Sequence, residues 1–281
     1  MEQKNARHGM LLMLLCTLFW SLSGLLIRML PWHGLVIAGG RSAFASIIVA
    51  LYMKWHHIPL RLTRKSLLGA VSLASVFVIF ILANKLTASA NAIVLQQCAP
   101  AVVLLYNILS KKARARLLDV ATVAITLIGI TLFFFDQFSP GSLVGNLLGL
   151  LSGVFLAVNF LVQGESSAEE SMSGILLAHL ITIAVGLPFA LVYDTPLTST
   201  TLSVIALMGV VQLGIPYVLY GLATRSCPPL AISLIGMGEA VFNPIWVAIA
   251  YGEVPGTLPL LGGALVLSAT IFWAVKSSKK S

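Results

Sequence analysis

The sequence predicts an all-α membrane protein: ten transmembrane helices in two inverted five-helix repeats. Three observations predict it. The 281 residues are 58% hydrophobic and only 9% charged, whereas soluble domains carry roughly 25% charged residues. Apolar segments recur along the whole chain, each close to the roughly 20 residues that a helix needs to cross the hydrocarbon core. The basic residues collect in alternate connections, as the positive-inside rule requires.

The spans fall at 9–30, 35–53, 66–84, 89–109 and 117–135, then at 143–163, 174–193, 200–219, 228–250 and 257–275. The first follows Lys4 and Arg7 as a signal peptide would. It is too long for a signal h-region and no cleavage site follows, so retention is expected. The second contains Arg41, and a short link of small residues joins the third to the fourth. The sixth carries Gly145, Gly149 and Gly153, a stripe that lets helices approach closely. His179 lies in the seventh, Gln212 and Tyr217 in the eighth, and Glu239 in the ninth. The longest loops, 54–65 and 164–173, are too short for a soluble domain.

With the N-terminus inside, all but three of the 17 Lys and Arg fall in inside loops or termini. Arg28 and Lys85 fall outside, and Arg41 lies within a span. This asymmetry predicts an even number of spans and both termini in the cytoplasm, in a bacterial inner or plasma membrane. The loop 165–172 is expected inside although it carries Glu165, Glu169 and Glu170 and no basic residue. Acidic residues weigh little in this rule. The net charge of +8 is therefore a topology signal. The basic run from Lys111 to Arg116 reads as an anchor at the lipid headgroups, with membrane lipid and not nucleic acid as the partner.

Cys16, Cys98 and Cys227 are isolated and read as small buried hydrophobes. No metal or other cofactor is expected. No nucleophile elbow, zinc spacing or dinucleotide fingerprint is present, which argues against an enzyme. The absence of a G-x-x-x-x-G-K-[ST] loop leaves a gradient, or simple downhill flow, to drive any transport.

The halves 1–138 and 139–281 repeat weakly at a spacing of about 140 residues. Gly69 aligns with Gly209 and Lys85 with Arg225; Ala99-Pro100-Ala101-Val102 aligns with Glu239-Ala240-Val241-Phe242. Five spans per copy inserts the second copy upside down, an arrangement that puts a substrate site near the midplane between repeats.

Several local patterns carry a family resemblance. Phe19-Trp20-Ser21 sits in the first span, Arg41 in the second, and Leu86-Thr87-Ala88-Ser89-Ala90 between the third and fourth. Glu239-Ala240-Val241 is similar to a Glu-Pro-Val motif, and Gly252-Glu253 follows that span. Together with span count and length, these resemble the drug/metabolite transporter superfamily, in particular its EamA-type members. Ala240 in place of Pro, no Glu near Ala113, and Cys227-Pro228-Pro229 depart from the pattern. The resemblance implies export of amino acids, related metabolites or drugs, with some members importing, coupled to protons or running downhill.

Glu239 is the leading site candidate, because a carboxylate in mid-span is costly and functional by default. It lies roughly 16 Å into its helix at 1.5 Å per residue. Asn243 and Trp246 share its face. Its expected role is to bind a substrate ammonium or a proton; a structural carboxylate bonded across helices is the alternative. Arg41, roughly 9 Å from the outer end of its span, is expected in gating or bracing, to hold a substrate carboxylate, or to pair with Glu239. His179 occupies nearly the equivalent place in the second half and is the other gating or coupling candidate, although such a His commonly bonds across helices.

Gln96, Asn159 and Gln212 are expected at the cavity, although most intramembrane amides bond between helices. Trp20, Tyr217, Tyr220 and Trp246 are candidates for an aromatic cage or for packing. The expected function is secondary-active export of small polar metabolites such as amino acids by alternating access, with protons as a candidate coupling ion. The alternatives are a transporter or importer of organic cations such as choline or polyamines, and a broad drug exporter. Monomer and homodimer both remain open.

Overall fold

The computed structural model describes residues 2–87, 89–110, 116–133, 143–251 and 256–278. The basic residues at 111–115, the repeat boundary at 138, Gly252, Glu253, Lys279 and Lys280 lie outside these. The described elements are all helical: α1 Glu2–Trp20, α2 Ser23–Arg28, α3 Gly34–Trp55, α4 Arg64–Leu86, α5 Ser89–Gln96, α6 Ala99–Leu109, α7 Leu117–Phe133, α8 Leu143–Gly164, α9 Ala168–Gly186, α10 Ser199–Leu207, α11 Ile215–Ala223, α12 Pro229–Gly236, α13 Gly238–Tyr251 and α14 Thr257–Ser278. Among the described residues, six helical stretches are long and apolar enough to cross a membrane. Four shorter apolar helices, Ala99–Leu109, Leu117–Leu132, Pro229–Asn243 and Leu261–Trp273, accompany them. The chain is a multi-pass membrane protein.

Helix starts follow their caps. The Thr63 and Ser167 side chains each accept from the amide three residues on, and Ser66 and Glu170 reach back to the cap amide. Thr198 and Thr201 do the same for α10. Each capping box satisfies two amides that a helix start leaves orphaned.

Several apolar runs that the sequence presents as continuous are interrupted. The first breaks at Ser21-Leu22, between α1 and α2; Ser and Gly cluster there, a common cause of kinks. The fourth breaks at Gln97-Cys98, two residues before Pro100. A proline ring clashes with the carbonyl four residues back, here that of Gln96. The small residues of α8 receive that displaced backbone: a Cβ on Gly153 would lie 2.6 Å from the Gln96 carbonyl oxygen. The eighth becomes a π-helix at Met208–Gly214, just before Pro216 removes another donor. The ninth breaks at Met237, between Gly236 and Gly238.

In the packing, α4 lies antiparallel to α8 and beside α9, while α3 crosses α9. That crossing is close because two glycines meet. A Cβ on Gly39 would stand 2.6 Å from the Leu187 nitrogen, and one on Gly186 would strike the Leu35 carbonyl. To one side, α7 pairs with α14, and the Trp273 Nε1–H donates to Asp119 at 2.8 Å.

The connections sort into two ends. Gly9 packs on Ser226 and Cys227, and Gly164 on Pro229. Arg61 pairs with Glu169 at 3.0 Å, the Thr63 hydroxyl donates to Glu170 at 2.7 Å, and Lys65 donates to the Glu165 carbonyl. The acidic loop that carries no basic residue therefore lies against the basic loop 56–65, at the same end of the bundle. At the opposite end, Gly34 packs on Lys85 and Gly145 on Thr87, and the Trp32 indole donates to the Pro196 carbonyl at 3.1 Å.

Gly186→Leu is expected to lower the melting temperature by several degrees, since overpacking costs about 1–3 kcal/mol. A melt in detergent reads this, and an unchanged melting temperature would contradict the glycine crossing.

Candidate functional site

The interruptions converge on one buried cavity of about 50 Å³. Trp20 and Ser23 flank the first break, Gln96 precedes the second, Gln212 sits in the π-helix, and Glu239 follows the break at Met237. All five line the cavity, with Arg41 and Tyr217 completing its polar lining. Val76, Phe77, Phe80, Leu156 and Leu213 form the apolar walls. One water occupies roughly 10–15 Å³ by this measure, so the space holds a few waters.

Glu239 is in the first turn of α13, where the helix dipole favours a negative charge. The Ser23 hydroxyl donates to it at a long 3.5 Å. Farther along the same face, Asn243 packs on Gly24, and the Trp246 indole donates to the Ser21 hydroxyl at 2.7 Å. The shared face of Glu239, Asn243 and Trp246 thus meets the break between α1 and α2. Only Glu239 of the three reaches the cavity; Asn243 and Trp246 hold the two broken spans together.

Arg41 is 3% exposed. Its Nη1 donates to the Gln212 side chain at 3.5 Å, and its Nε has no partner. Its guanidinium carbon stands 5.8 Å from the centre of the Phe77 ring, a cation–π distance. Among the described residues, Arg41 and Glu239 form no ion pair with each other. A buried charge without a full set of partners is expensive, and this cavity brings a basic and an acidic side chain together without pairing them.

Aromatic rings make the cavity wall rigid. Trp20 lies 5.1 Å from Tyr217 and 5.7 Å from Tyr220. Tyr217 meets Phe77 edge-on at 5.0 Å. His179 stacks on the other side of this group, 5.0 Å from Phe77, and meets Tyr217 edge-on. Both its ring nitrogens are buried without a hydrogen-bond partner. His179 therefore sits one layer behind the cavity, screened from it by Phe77.

Asn159 lies apart from the cavity. Its amide donates to the Gly69 carbonyl at 3.0 Å and to Ser72 at 3.2 Å, and its oxygen accepts from the Tyr220 hydroxyl at 2.7 Å. It ties α8, α4 and α11 together. Gln96 both lines the cavity and donates to Ser152 at 3.2 Å. Sequence reasoning missed Ser23, Phe77 and Phe80. An apolar residue in an apolar span carries no contrast, and only the two-sided contact of Phe77 with Arg41 and His179 distinguishes it.

Asn159→Leu is expected to destabilise the fold by about 1–3 kcal/mol, because it leaves the buried Tyr220 hydroxyl unpaired. Thermal unfolding of the variant and of Asn159→Leu with Tyr220→Phe checks it: the second change should recover part of the loss. No recovery would contradict the Asn159–Tyr220 bond.

A protein of known crystal structure shares this fold at a TM-score of 0.80 and 16% identity, covering 97% of this chain and 98% of its own. No curated protein matches the chain. Residues 7–135 match the EamA-like transporter family. Over that region, a little under half of the chain, the sequence is similar to EamA-like transporters.

Proposed function

We propose that this protein is a secondary transporter, not an enzyme, that exports a small zwitterionic metabolite, an amino acid or close relative. One observation carries the reading: one cavity is lined by both an arginine and a glutamate that do not pair with each other. Arg41 matches a carboxylate as a two-pronged donor, and Glu239 matches an ammonium. The walls of Phe77, Phe80, Val76 and Leu213 suit an apolar side chain. In the bound state each protein charge gains the partner that it lacks in the empty cavity. When substrate leaves, a proton on Glu239 replaces the ammonium and couples the two movements.

Alternating access of two inverted five-helix halves, 1–138 and 139–281, is the proposed cycle. The packing supports it. The pairing of α4 with α8 is matched by that of α11 with α1, while α3 with α9 and α7 with α14 pair equivalent spans. The interruptions at Gln97-Cys98 and Met237 correspond under the same offset. Basic residues mark the end bearing Arg61 and Lys65 as cytoplasmic by the positive-inside rule, with both termini on that side of a bacterial inner or plasma membrane. There the bonds from loop 56–65 to loop 164–170 act as a latch between halves.

A second reading rests on the aromatic walls. Trp20, Tyr217 and Phe77 around Glu239 also suit an organic cation. Arg41 in the same cavity opposes it.

A thermal-shift screen of amino acids, their amides, amines and quaternary ammonium compounds tests these readings. A ligand at 100 times its dissociation constant stabilises by about 2.7 kcal/mol. Amino acids with apolar side chains are expected to raise the melting temperature of the wild type and to leave Glu239→Gln unmoved. If only quaternary cations act, the cation reading replaces this one. If Glu239→Gln responds to amino acids as the wild type does, the role of Glu239 is refuted.

A further inference from the structure

We propose that the groove between α1, α13 and α14 is a binding site for one anionic phospholipid, its acyl chain in the groove and its phosphate at Arg7. The groove is separate from the central cavity and has a volume of about 600 Å³, within the roughly 300–1,000 Å³ of pockets that hold small molecules. Its walls are apolar, including Leu14, Phe242 and Ile271, and Gly238 opens its floor. From Arg7 to Leu14 it runs about 10 Å along α1, from the basic end toward the middle of the bundle.

Two polar residues break the apolar lining. Arg7 stands at the basic end; a guanidinium there forms charge-assisted hydrogen bonds to a phosphate. Thr270 lies deeper in the wall, its hydroxyl oxygen buried. Charge also argues against a second copy of this chain as the occupant. A copy inserted with the same orientation would bring its own basic end against Arg7, whereas an anionic lipid complements it. The site reaches the helix break beside Glu239, since Ile235 and Gly238 both line the groove.

Native mass spectrometry of the delipidated full-length protein, titrated with phosphatidylglycerol or with phosphatidylcholine of the same chains, tests the site. Both lipids offer Arg7 a phosphate, but the choline cation cancels the charge of phosphatidylcholine and opposes the guanidinium, so one phosphatidylglycerol is expected to bind about tenfold more tightly. Arg7 is exposed, so Arg7→Gln is not expected to disturb folding, and it should erase that preference. Leu14→Trp, which fills the groove, should weaken both lipids. Equal binding of the two lipids to the wild type would overturn the proposal, as would a preference that survives Arg7→Gln. A lipid-independent dimer that Leu14→Trp dissociates would also overturn it, assigning the groove to a second copy.

Discussion

Backbone polar groups have no water to turn to inside a bilayer, and this constraint organises the molecule. Irregular backbone at membrane depth is tolerated only where protein covers it or a cavity receives it. The chain interrupts four of its apolar runs, at Ser21-Leu22, Gln97-Cys98, Met208–Gly214 and Met237. All four face inward and meet. Glycines let backbone approach closely there: Gly153 of α8 receives the Gln96 carbonyl, and Gly209, within the π-helix, lies against the Arg41 carbonyl of the continuous α3. Ser23, Gln96, Gln212 and Glu239, at or beside these interruptions, all line the cavity.

Its energetics follow. Arg41 and Glu239 are held by one long hydrogen bond each, well short of what a buried charge needs. The surrounding rings shape the site without satisfying these groups. Contacts tie elements together at both ends of the bundle. The loops at the basic end are joined through Arg61, Thr63 and Lys65, and at the other end His33 stacks on Tyr193 at 3.9 Å. At about 50 Å³ the cavity is smaller than an amino acid needs, so binding must widen it.

Much of this was legible in the sequence, for physical reasons. Hydropathy located the apolar helices because the bilayer sets their length. Among the described residues, Arg61, Lys65 and Arg225 share an end, as charge sorting across a membrane leads one to expect. Glu239 was conspicuous because a carboxylate in an apolar span has few reasons to be there. The interruptions were not legible, since an apolar run reads the same whether its helix is continuous or broken, and proline and glycine are common in membrane helices. Amides were ambiguous for a related reason. Gln96 and Gln212 line the cavity while Asn159 clamps three helices, and residue type does not distinguish the roles. Phe77, which separates Arg41 from His179, gave no signal at all.

The most direct test of the central claim is a cycle of affinities measured by calorimetry. The wild type and Arg41→Gln would each be titrated with an apolar amino acid and with its carboxamide. If Arg41 holds the substrate carboxylate, the variant loses affinity for the acid and binds the amide much as the wild type does. A coupling of about 1.5–3 kcal/mol is expected for a hydrogen bond to a charged group. Equal losses for acid and amide would mean that Arg41 does not meet the carboxylate, and the zwitterion account would fail.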